Sequence, residues 1–503
     1  MTYPVPAMVV TLPAVTAAEA KRQVVEAAAD GADLAEIRFD LWSAGARAEV
    51  GELFPTPLPL VATVRSRAEG GAGPNDPESR AALLVELARH PFRWIDLEAD
   101  RDLAFIDRLP PAETIGRVVS THYPSGVSPA EWRRRVREPA PQGGVRKVVA
   151  RAGVGSLFTD LLPHLPPPGE TALIAMTTGP SGPLLRVWSR RFGFPMVYAA
   201  LPEPAAGNPV RSTVEPSQVP VDRLRPFLAA DAEASLYGLA GHPVAHTHSP
   251  ALHARWMRHD HRVGLYVPLD FESESEFVDA LTPLADGGFR GLNVTHPFKK
   301  AALEAATEVE SGASVCGVAN CLTFRGDAIE AENTDLVAIL RRLEELKRDG
   351  RWDGRSLTVV GAGGAARATL AAARAMNAEA RVYARRPEQA DAVARLFGAR
   401  SPPMHEAGPD SLLVHATDVG RQGTGPLEVP VGQLVRRGTH VLDWVYAPDD
   451  PLVKEAVERA GATYEDGRRL LVYQAAATYG VWWGEDPDAD EVRATLREEG
   501  CAE

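Results

Sequence analysis

Over its first ~230 residues the chain alternates short β-type runs with helix-period segments, and this rhythm restricts the possible folds more than any other feature. The runs are MVVTL, LAEIRF, LPLVATVR, WIDLEA, GRVVSTH, VRKVVAR, ALIAMTT and MVYAAL, with helical patterns such as AAEAKRQVVEAAADG in several of the gaps. Strands joined by helices lie parallel, because each crossover returns the chain to the same end of the sheet. About eight such units in ~230 residues is the size of a closed (β/α)8 barrel, a TIM barrel, with an open doubly wound sheet as the alternative.

With 503 residues the chain is too long for one core. The Pro-rich stretch LPEPAAGNPVRSTVEPSQVPVDRLRP closes the first segment, and a fresh β pattern starts at EASLYGLAG. The boundary is therefore expected near Asp231, giving a first domain over 1–231. The remainder reads as two lobes, 232–338 with 475–503, and 339–474. The second of these opens with SLTVVGAGGAARATLAAARAM, a strand, a Gly-rich turn and a helix, followed by a strand at ARVYARR. A net charge of −13 argues against nucleic acid as the main partner. No apolar run approaches the ~20 residues that span a bilayer, and MTYPVPAMVV lacks the pattern of an export signal. Three cysteines, Cys316, Cys321 and Cys501, are too few to staple a protein of this size. A cytoplasmic protein with small-molecule partners is expected, and the oligomeric state stays open.

Side chains alternate faces along a strand, so position parity shows which residues share a side. Glu36 and Arg38 oppose Ile37 and Phe39; Thr63 and Arg65 oppose Ala62 and Val64; Asp96 and Glu98 oppose Ile95 and Leu97; Ser120 aligns with His122; Lys147 aligns with Val145 and Val149. Barrel strands bury their outer face against helices, so these polar sets are expected to point inward and line one pocket at the C-terminal ends of the strands. A buried lysine flanked by Arg38 and Arg65 is pushed toward its neutral, nucleophilic form. Such an amine forms an imine with a ketone, and the protonated imine acidifies the adjacent C–H. His122 suits the proton transfer, Glu69 is placed to fix its imidazole, and the arginines remain for an anionic substrate.

EIRFD, VRSRAEGG, DLEAD, STHYPSGVSP, VRKVVA and AMTTGPSGPLLR, in this order, resemble the signature stretches of type I 3-dehydroquinate dehydratases across essentially the whole first domain. The resemblance implies an imine on Lys147, general base and acid work by His122, orientation of His122 by Glu69, and contacts to substrate hydroxyls or ring from Glu36, Arg38 and Arg65. It also implies that Arg186 takes the substrate carboxylate, Met176 lines the pocket, and Gln218 belongs to a closing loop. Tyr123-Pro124 and Val214 depart from the usual pattern and bear on the lid contacts.

In the later region Gly361, Gly363 and Gly364, with Ala366 at the third glycine position, suit a pyrophosphate at a helix N-terminus. About 20 residues on, where NAD-binding proteins place an acidic residue, stand Arg385 and Arg386, a guanidinium pair suited to the 2′-phosphate of NADP(H). HPVAHTHSPALHARWMRHDH is rich in histidine, but no spacing in it matches a zinc motif, and no metal is expected. GLAGHPVAHTHSP, GLNVTHPFKK, GVANCL, ENTD, GAGGAARA and LLVYQAA resemble, in order, the hallmarks of shikimate dehydrogenases. That resemblance implies a catalytic Lys299–Asp335 pair and substrate contacts from Thr247, Ser249, Thr295, Asn320, Tyr446 and Gln474. It implies dinucleotide contacts that include Ala365 and Gly467. Thr247 and His248 replace the usual Ser and Lys, which bears on a range extending toward quinate. Leu336 stands where glycine is common, Gln389 replaces a basic residue, and His415-Ala416-Thr417 replaces Asn-Ala-Thr near the nicotinamide.

The two resemblances together imply a bifunctional shikimate-pathway enzyme. One domain dehydrates 3-dehydroquinate to 3-dehydroshikimate, and the other reduces that product to shikimate with NADPH. Two alternatives belong to other classes. One is an aldolase-type imine enzyme on a barrel, fused to an NADP-dependent reductase of another hydroxy acid such as quinate. The other is a nucleotide-sensing regulator with degenerate sites.

Overall fold

All eight β-type runs of the first segment form strands: β1 (Ala7–Leu12), β2 (Leu34–Arg38), β3 (Leu60–Thr63), β4 (Trp94–Glu98), β5 (Gly116–Tyr123), β6 (Val145–Arg151), β7 (Leu173–Thr178) and β8 (Met196–Ala199). The computed structural model that shows them describes residues 3–140, 143–202, 215, 217–230, 234–244, 247–403, 410–420, 429–446, 448 and 451–501. The strands lie in the order β7-β6-β5-β4-β3-β2-β1-β8 with parallel pairing, a nearly closed barrel rather than an open doubly wound sheet. Strand β3 ends at Thr63, so Arg65 projects from the loop that follows it.

Local signals explain several of the intervening helices. Thr16, Asp76 and Ser128 each accept a hydrogen bond from the backbone N–H three residues on, which caps the helices Ala17–Ala29, Pro77–Leu87 and Pro129–Arg137. The last two carry proline in the first turn, where its missing N–H costs nothing. Inside the barrel, Val9, Leu34, Val61, Val145, Val149, Ile174, Met176, Met196 and Tyr198 form one buried cluster. Burial of each large member contributes roughly 1.5–3 kcal/mol, and this apolar filling is what holds a ring of charges in fixed positions.

The later strands are β9 (Ser235–Gly241), β10 (Gly264–Asp270), β11 (Phe289–Val294), β12 (Glu308–Val309), β13 (Cys321–Arg325), β14 (Ala328–Glu332), β15 (Ser356–Val360), β16 (Glu379–Tyr383), β17 (Leu412–His415), β18 (His440–Asp443) and β19 (Thr463–Glu465). Strands β9, β11, β13, β14 and β12 lie in that order; β9 with β11 and β14 with β12 are parallel, the other neighbours antiparallel. A second sheet, wholly parallel, has the order β16-β15-β17-β18-β19. Its strand order reverses between β15 and β17, so a crevice opens there at the C-terminal strand ends, the place where such sheets take ligands.

The chain divides into two compact units, Met1–Ser235 with Val263–Gly287, and Leu236–Arg262 with Gly288–Glu503. Asp231, Val214 and His246 lie outside the described residues. Among the described residues no helix is long and apolar enough to cross a membrane.

Candidate active sites

A cavity of about 180 Å³ in the first unit is lined by all nine barrel residues singled out from sequence: Glu36, Arg38, Arg65, Glu69, His122, Lys147, Met176, Arg186 and Gln218. The strand register explains the gathering. Ser120 pairs with Lys147 across β5 and β6, and His122 pairs with Val149, so His122 stands one inward position closer to the C-terminal rim than Lys147.

Lys147 is 4% exposed, and its Nζ lies 3.6 Å from Glu36 Oε1, 3.6 Å from Asp96 Oδ2 and 3.6 Å from the centre of the Tyr198 ring. Burial lowers its pKa most strongly; the carboxylates of Glu36 and Asp96 oppose the shift, and Arg65 and Arg38 assist it. The net displacement is downward, toward a neutral amine. Glu36 is immobilised by hydroxyl donors on both sides, Thr11 to Oε2 at 2.8 Å and Thr63 to Oε1 at 2.8 Å.

The imidazole of His122 meets Glu69: Nδ1 is 3.1 Å from Oε2, which also accepts the His122 backbone N–H at 2.9 Å. With Nδ1–H donated to Glu69, Nε2 is left as the acceptor. Burial and the nearby cations Arg65, Lys147 and Arg38 hold the imidazole well below its usual pKa. Burial, outweighing the attraction of Arg65, pushes Glu69 up to about 7.

The two arginines first read as substrate anchors are themselves anchored. Arg65 donates to Asp96 at 2.8 Å, to Ser120 at 2.9 Å, and to Glu69 and Glu98 at 3.2 Å each. Arg38 forms a fork with Asp40, both bonds 2.8 Å. Arg186 donates to the backbone carbonyls of Tyr198, Thr177 and Gly182. Burial lowers its pKa to about 10 against the pull of Glu215. The departure Tyr123-Pro124 lines the same cavity, with the Tyr123 hydroxyl donating to Glu131 at 2.7 Å.

In the second unit Lys299 Nζ is 2.5 Å from Asp335 Oδ2, and Asn320 Nδ2 donates to Asp335 Oδ1 at 2.9 Å and to Thr334 at 3.0 Å. Asn333 caps the helix Thr334–Arg348 by accepting from the Leu336 N–H, which fixes Asp335 in the first turn. Asn293 donates to the Asn320 carbonyl and to Thr478, which also bonds Thr334. Thr247 and Ser249 form a separate pair, their hydroxyls 3.2 Å apart. Tyr446 has its ring 5.4 Å from that of His248. Thr295 packs on Gly241, where an added Cβ would sit 2.2 Å from the threonine methyl. Gln474 bonds the Leu471 carbonyl at 3.1 Å.

The glycines of the later turn divide by role. Gly361 has φ +129°, and a Cβ there would meet the Ala416 carbonyl oxygen at 2.3 Å, so the protein itself demands glycine. Gly363 faces open space at the start of the helix Gly364–Ala375, room that a phosphate at a helix N-terminus requires. A Cβ on Gly364 would lie 2.9 Å from Lys299 Cδ, and one on Gly467 would lie 2.4 Å from the Trp444 carbonyl. Ala365 stands in the first turn of the same helix, and the fully buried Ala366 allows it to pack closely. Arg385 and Arg386 are exposed just beyond the C-terminal end of β16. This set fits a dinucleotide.

The histidines of the His-rich segment disperse: His253 is buried among Trp256, Tyr479 and Trp482, His248 meets Glu499, and His259 meets Asp260. No cluster of metal-ligating residues occurs among the described residues.

Residues 8–235 match the family model of type I 3-dehydroquinase, and residues 239–322 match that of the shikimate dehydrogenase substrate binding domain. The shikimate dehydrogenase (NADP(+)) of Ruegeria sp. (strain TM1040) is 38% identical over 266 residues, 51% of this chain and 95% of that protein. The chain belongs to the shikimate dehydrogenase family. It carries, in addition, a type I 3-dehydroquinase domain ahead of that region. The enzyme of the same name from Paracoccus denitrificans (strain Pd 1222) is 35% identical over 273 residues, 52% of this chain and 96% of its own. The solved structure of dehydroquinate dehydratase and shikimate dehydrogenase from S. pombe AroM covers 98% of each chain at 20% identity, with a TM-score of 0.42.

Site neighbours that sequence reading missed are Tyr198, whose ring covers the dehydroquinase lysine, and the direct approach of Asp96 to that lysine. Parity on β8 places Tyr198 with the buried Met196, a signal that was present in MVYAAL. In the shikimate dehydrogenase region the missed residue is Asp443, whose carboxylate meets the His415 imidazole.

Proposed function

We propose that the chain converts 3-dehydroquinate to 3-dehydroshikimate in its dehydroquinase domain and reduces that product to shikimate with NADPH in its dehydrogenase region. The observation that carries the first half is a buried lysine displaced toward neutrality beside a Glu69-held imidazole. The neutral Lys147 amine adds to the substrate ketone, and loss of water leaves a protonated imine. His122, with Nε2 as its free acceptor, removes the C2 proton, and the imine takes up the electron pair as an enamine. The same imidazole returns the proton to the departing hydroxyl, which leaves as water, and hydrolysis of the imine restores the amine. Glu36, Arg38, Arg65, Met176, Arg186 and Gln218 complete the substrate contacts, with Arg38 and Arg65 acting through a framework of carboxylates.

His122→Ala is expected to lower the dehydration rate by on the order of 10²–10⁴-fold. Borohydride should still trap the substrate on Lys147 in that variant, because imine formation and proton removal are separate duties. Loss of trapping together with turnover, in a folded variant, would count against the assignment of His122.

For the reduction, bound NADPH supplies the hydride. Lys299 donates a hydrogen bond to the carbonyl oxygen and stabilises the charge that gathers there, while Asp335, steadied by Asn320, fixes the ammonium. Thr247, Ser249, Thr295, Tyr446 and Gln474 hold the substrate's carboxylate and hydroxyls. Gly361, Gly363, Gly364, Ala365 and Gly467 admit the dinucleotide, and Arg385 with Arg386 takes its 2′-phosphate. Arg385→Ala and Arg386→Ala are each expected to weaken NADPH binding by about 10–100-fold and leave NADH binding unchanged, since a hydrogen bond to a charged group contributes roughly 1.5–3 kcal/mol. Fluorescence titration with both nucleotides tests this; equal loss for both would remove the arginines from 2′-phosphate recognition.

The reading includes a domain division at 231, a substrate lobe over 232–338 and 475–503, and a nucleotide lobe over 339–474. It includes no nucleic-acid partner, supported by the net charge of −13, no membrane partner, and a cytoplasmic location, supported by the three cysteines.

A further inference from the structure

We infer that His415, clamped by Asp443, turns the hydroxyl of Thr417 into a fixed hydrogen-bond acceptor for an N–H or O–H donor of the nicotinamide half of the dinucleotide. The inference rests on the proposed NADPH site.

Strand register creates the arrangement. His415 ends β17, Asp443 ends β18, and the two are direct partners across that parallel pair. Both are buried, at 0% and 1% exposure, so their hydrogen bonds must be met within the protein. His415 Nδ1 is 2.9 Å from Asp443 Oδ1, and His415 Nε2 is 2.8 Å from Thr417 Oγ1. Asp443 is surrounded by donors, accepting from the Val445 N–H at 3.0 Å and from the Tyr464 hydroxyl at 3.0 Å. A carboxylate so placed can only accept, so the ring proton sits on Nδ1 and Nε2 offers a lone pair. Thr417 must then give its one hydroxyl hydrogen to Nε2. Its oxygen keeps only acceptor capacity, one part of which receives the Val419 N–H at 3.2 Å.

The position of Thr417 indicates what the remaining acceptor faces. The Ala416 N–H bonds the Val360 carbonyl at 2.7 Å, at the adjoining ends of β15 and β17 where the strand order reverses. A Cβ on Gly361 would meet the Ala416 carbonyl oxygen and, at 3.4 Å, the Thr417 methyl. Thr417 therefore lies at the mouth of the crevice, against the first glycine of the pyrophosphate turn. Arg385 and Arg386 lie beyond the end of β16, on the other side of β15. A dinucleotide spanning the crevice with its 2′-phosphate toward β16 extends its nicotinamide half toward β17. The donors there are the carboxamide N–H and the ribose hydroxyls, and both need an acceptor. A hydroxyl free to rotate could donate or accept; one oriented by a buried imidazole cannot, which is what makes Thr417 selective.

Two measurements on the full chain test this. Long-range ¹H–¹⁵N correlation spectra, with His415 assigned by its loss in His415→Asn, should show a single proton on Nδ1; a proton on Nε2 overturns the inference. Dissociation constants for NADPH and for its 3-acetylpyridine analogue, which lacks the carboxamide N–H, should be measured for the parent chain, Thr417→Val and Thr417→Ser. Thr417→Val should weaken NADPH by about 3–10-fold, the loss of one neutral hydrogen bond, and Thr417→Ser should restore it. If the parent chain prefers NADPH over the analogue and Thr417→Val removes the preference, the donor is the carboxamide. An equal loss for both nucleotides makes it a ribose hydroxyl. Unchanged affinities in Thr417→Val overturn the inference and leave the NADPH site standing, whereas failure of the parent chain to bind NADPH overturns both.

Discussion

Lys147→Ala is expected to abolish the conversion of 3-dehydroquinate, with a fall on the order of 10⁴-fold or more and no product adduct after borohydride treatment. The size follows from the role. A residue that enters a covalent bond with the substrate cannot be replaced by a nearby donor, whereas loss of one hydrogen bond in the same cavity would cost only about tenfold. The surroundings sharpen the expectation. Glu36, Asp96 and the face of Tyr198 converge on Nζ, and removing the amine leaves two buried carboxylates short of a cation. Lys147→Met, which keeps most of the volume, separates that structural cost from the chemical one and should be equally inactive. In the parent chain, borohydride should add the substrate's mass to the peptide bearing Lys147. A labelled peptide elsewhere would remove the imine from the mechanism. The acid limb of the dehydration rate should fall at a lower pH than a free lysine allows, because burial, opposed by Glu36 and Asp96 and assisted by Arg65 and Arg38, displaces the amine downward. Its activity is lost as pH drops through that lowered value.

Lys299→Met is expected to produce the converse defect, dehydration at the parental rate and reduction lowered by on the order of 10³-fold. The ammonium is the donor closest to Asp335, at 2.5 Å, and Asn320 holds the other carboxylate oxygen at 2.9 Å, so the ion pair is prearranged and needs no reorganisation as charge develops. In a coupled assay with 3-dehydroquinate and NADPH, Lys299→Met should accumulate 3-dehydroshikimate without consuming the nucleotide. Lys147→Ala should be silent until 3-dehydroshikimate is added, and then oxidise NADPH at the parental rate. Failure of that rescue, with Lys299 intact, would mean that the dehydrogenase region acts on a different substrate.

The barrel was legible because two periodicities agreed. Turn-bounded apolar runs marked every strand, and parity within each strand separated Glu36, His122 and Lys147 from the outward-facing set. Charge at an inward position is costly enough that it seldom occurs without a site to use it. What parity cannot show is stagger between strands that are not neighbours. Tyr198 on β8 reaches Lys147 on β6 across the barrel interior, and no single-strand pattern contains that distance. Nor could it show how thoroughly Arg65 is satisfied, since its partners come from β4, β5 and the loop holding Glu69. In the dehydrogenase region the motifs named Lys299, Asp335 and the glycines. The substitution at His415 was visible, but its meaning depended on Asp443, 28 residues away and beside it only through the register of β17 with β18. Gln474 and the Thr247–Ser249 pair were legible from motif alone, and they hydrogen-bond near neighbours in sequence.

The approach of Gly364 to Lys299 has a consequence for how this enzyme can change. The lysine's methylene stem rests where a side chain on the nucleotide turn would have to go, 2.9 Å from the missing Cβ. On the proposed assignment, a bulkier residue on this turn would displace the Lys299 stem and with it the donor to the substrate oxygen. A change of cofactor preference is then better sought at the exposed Arg385 and Arg386 beyond β16 than at the turn that carries the Lys299 stem.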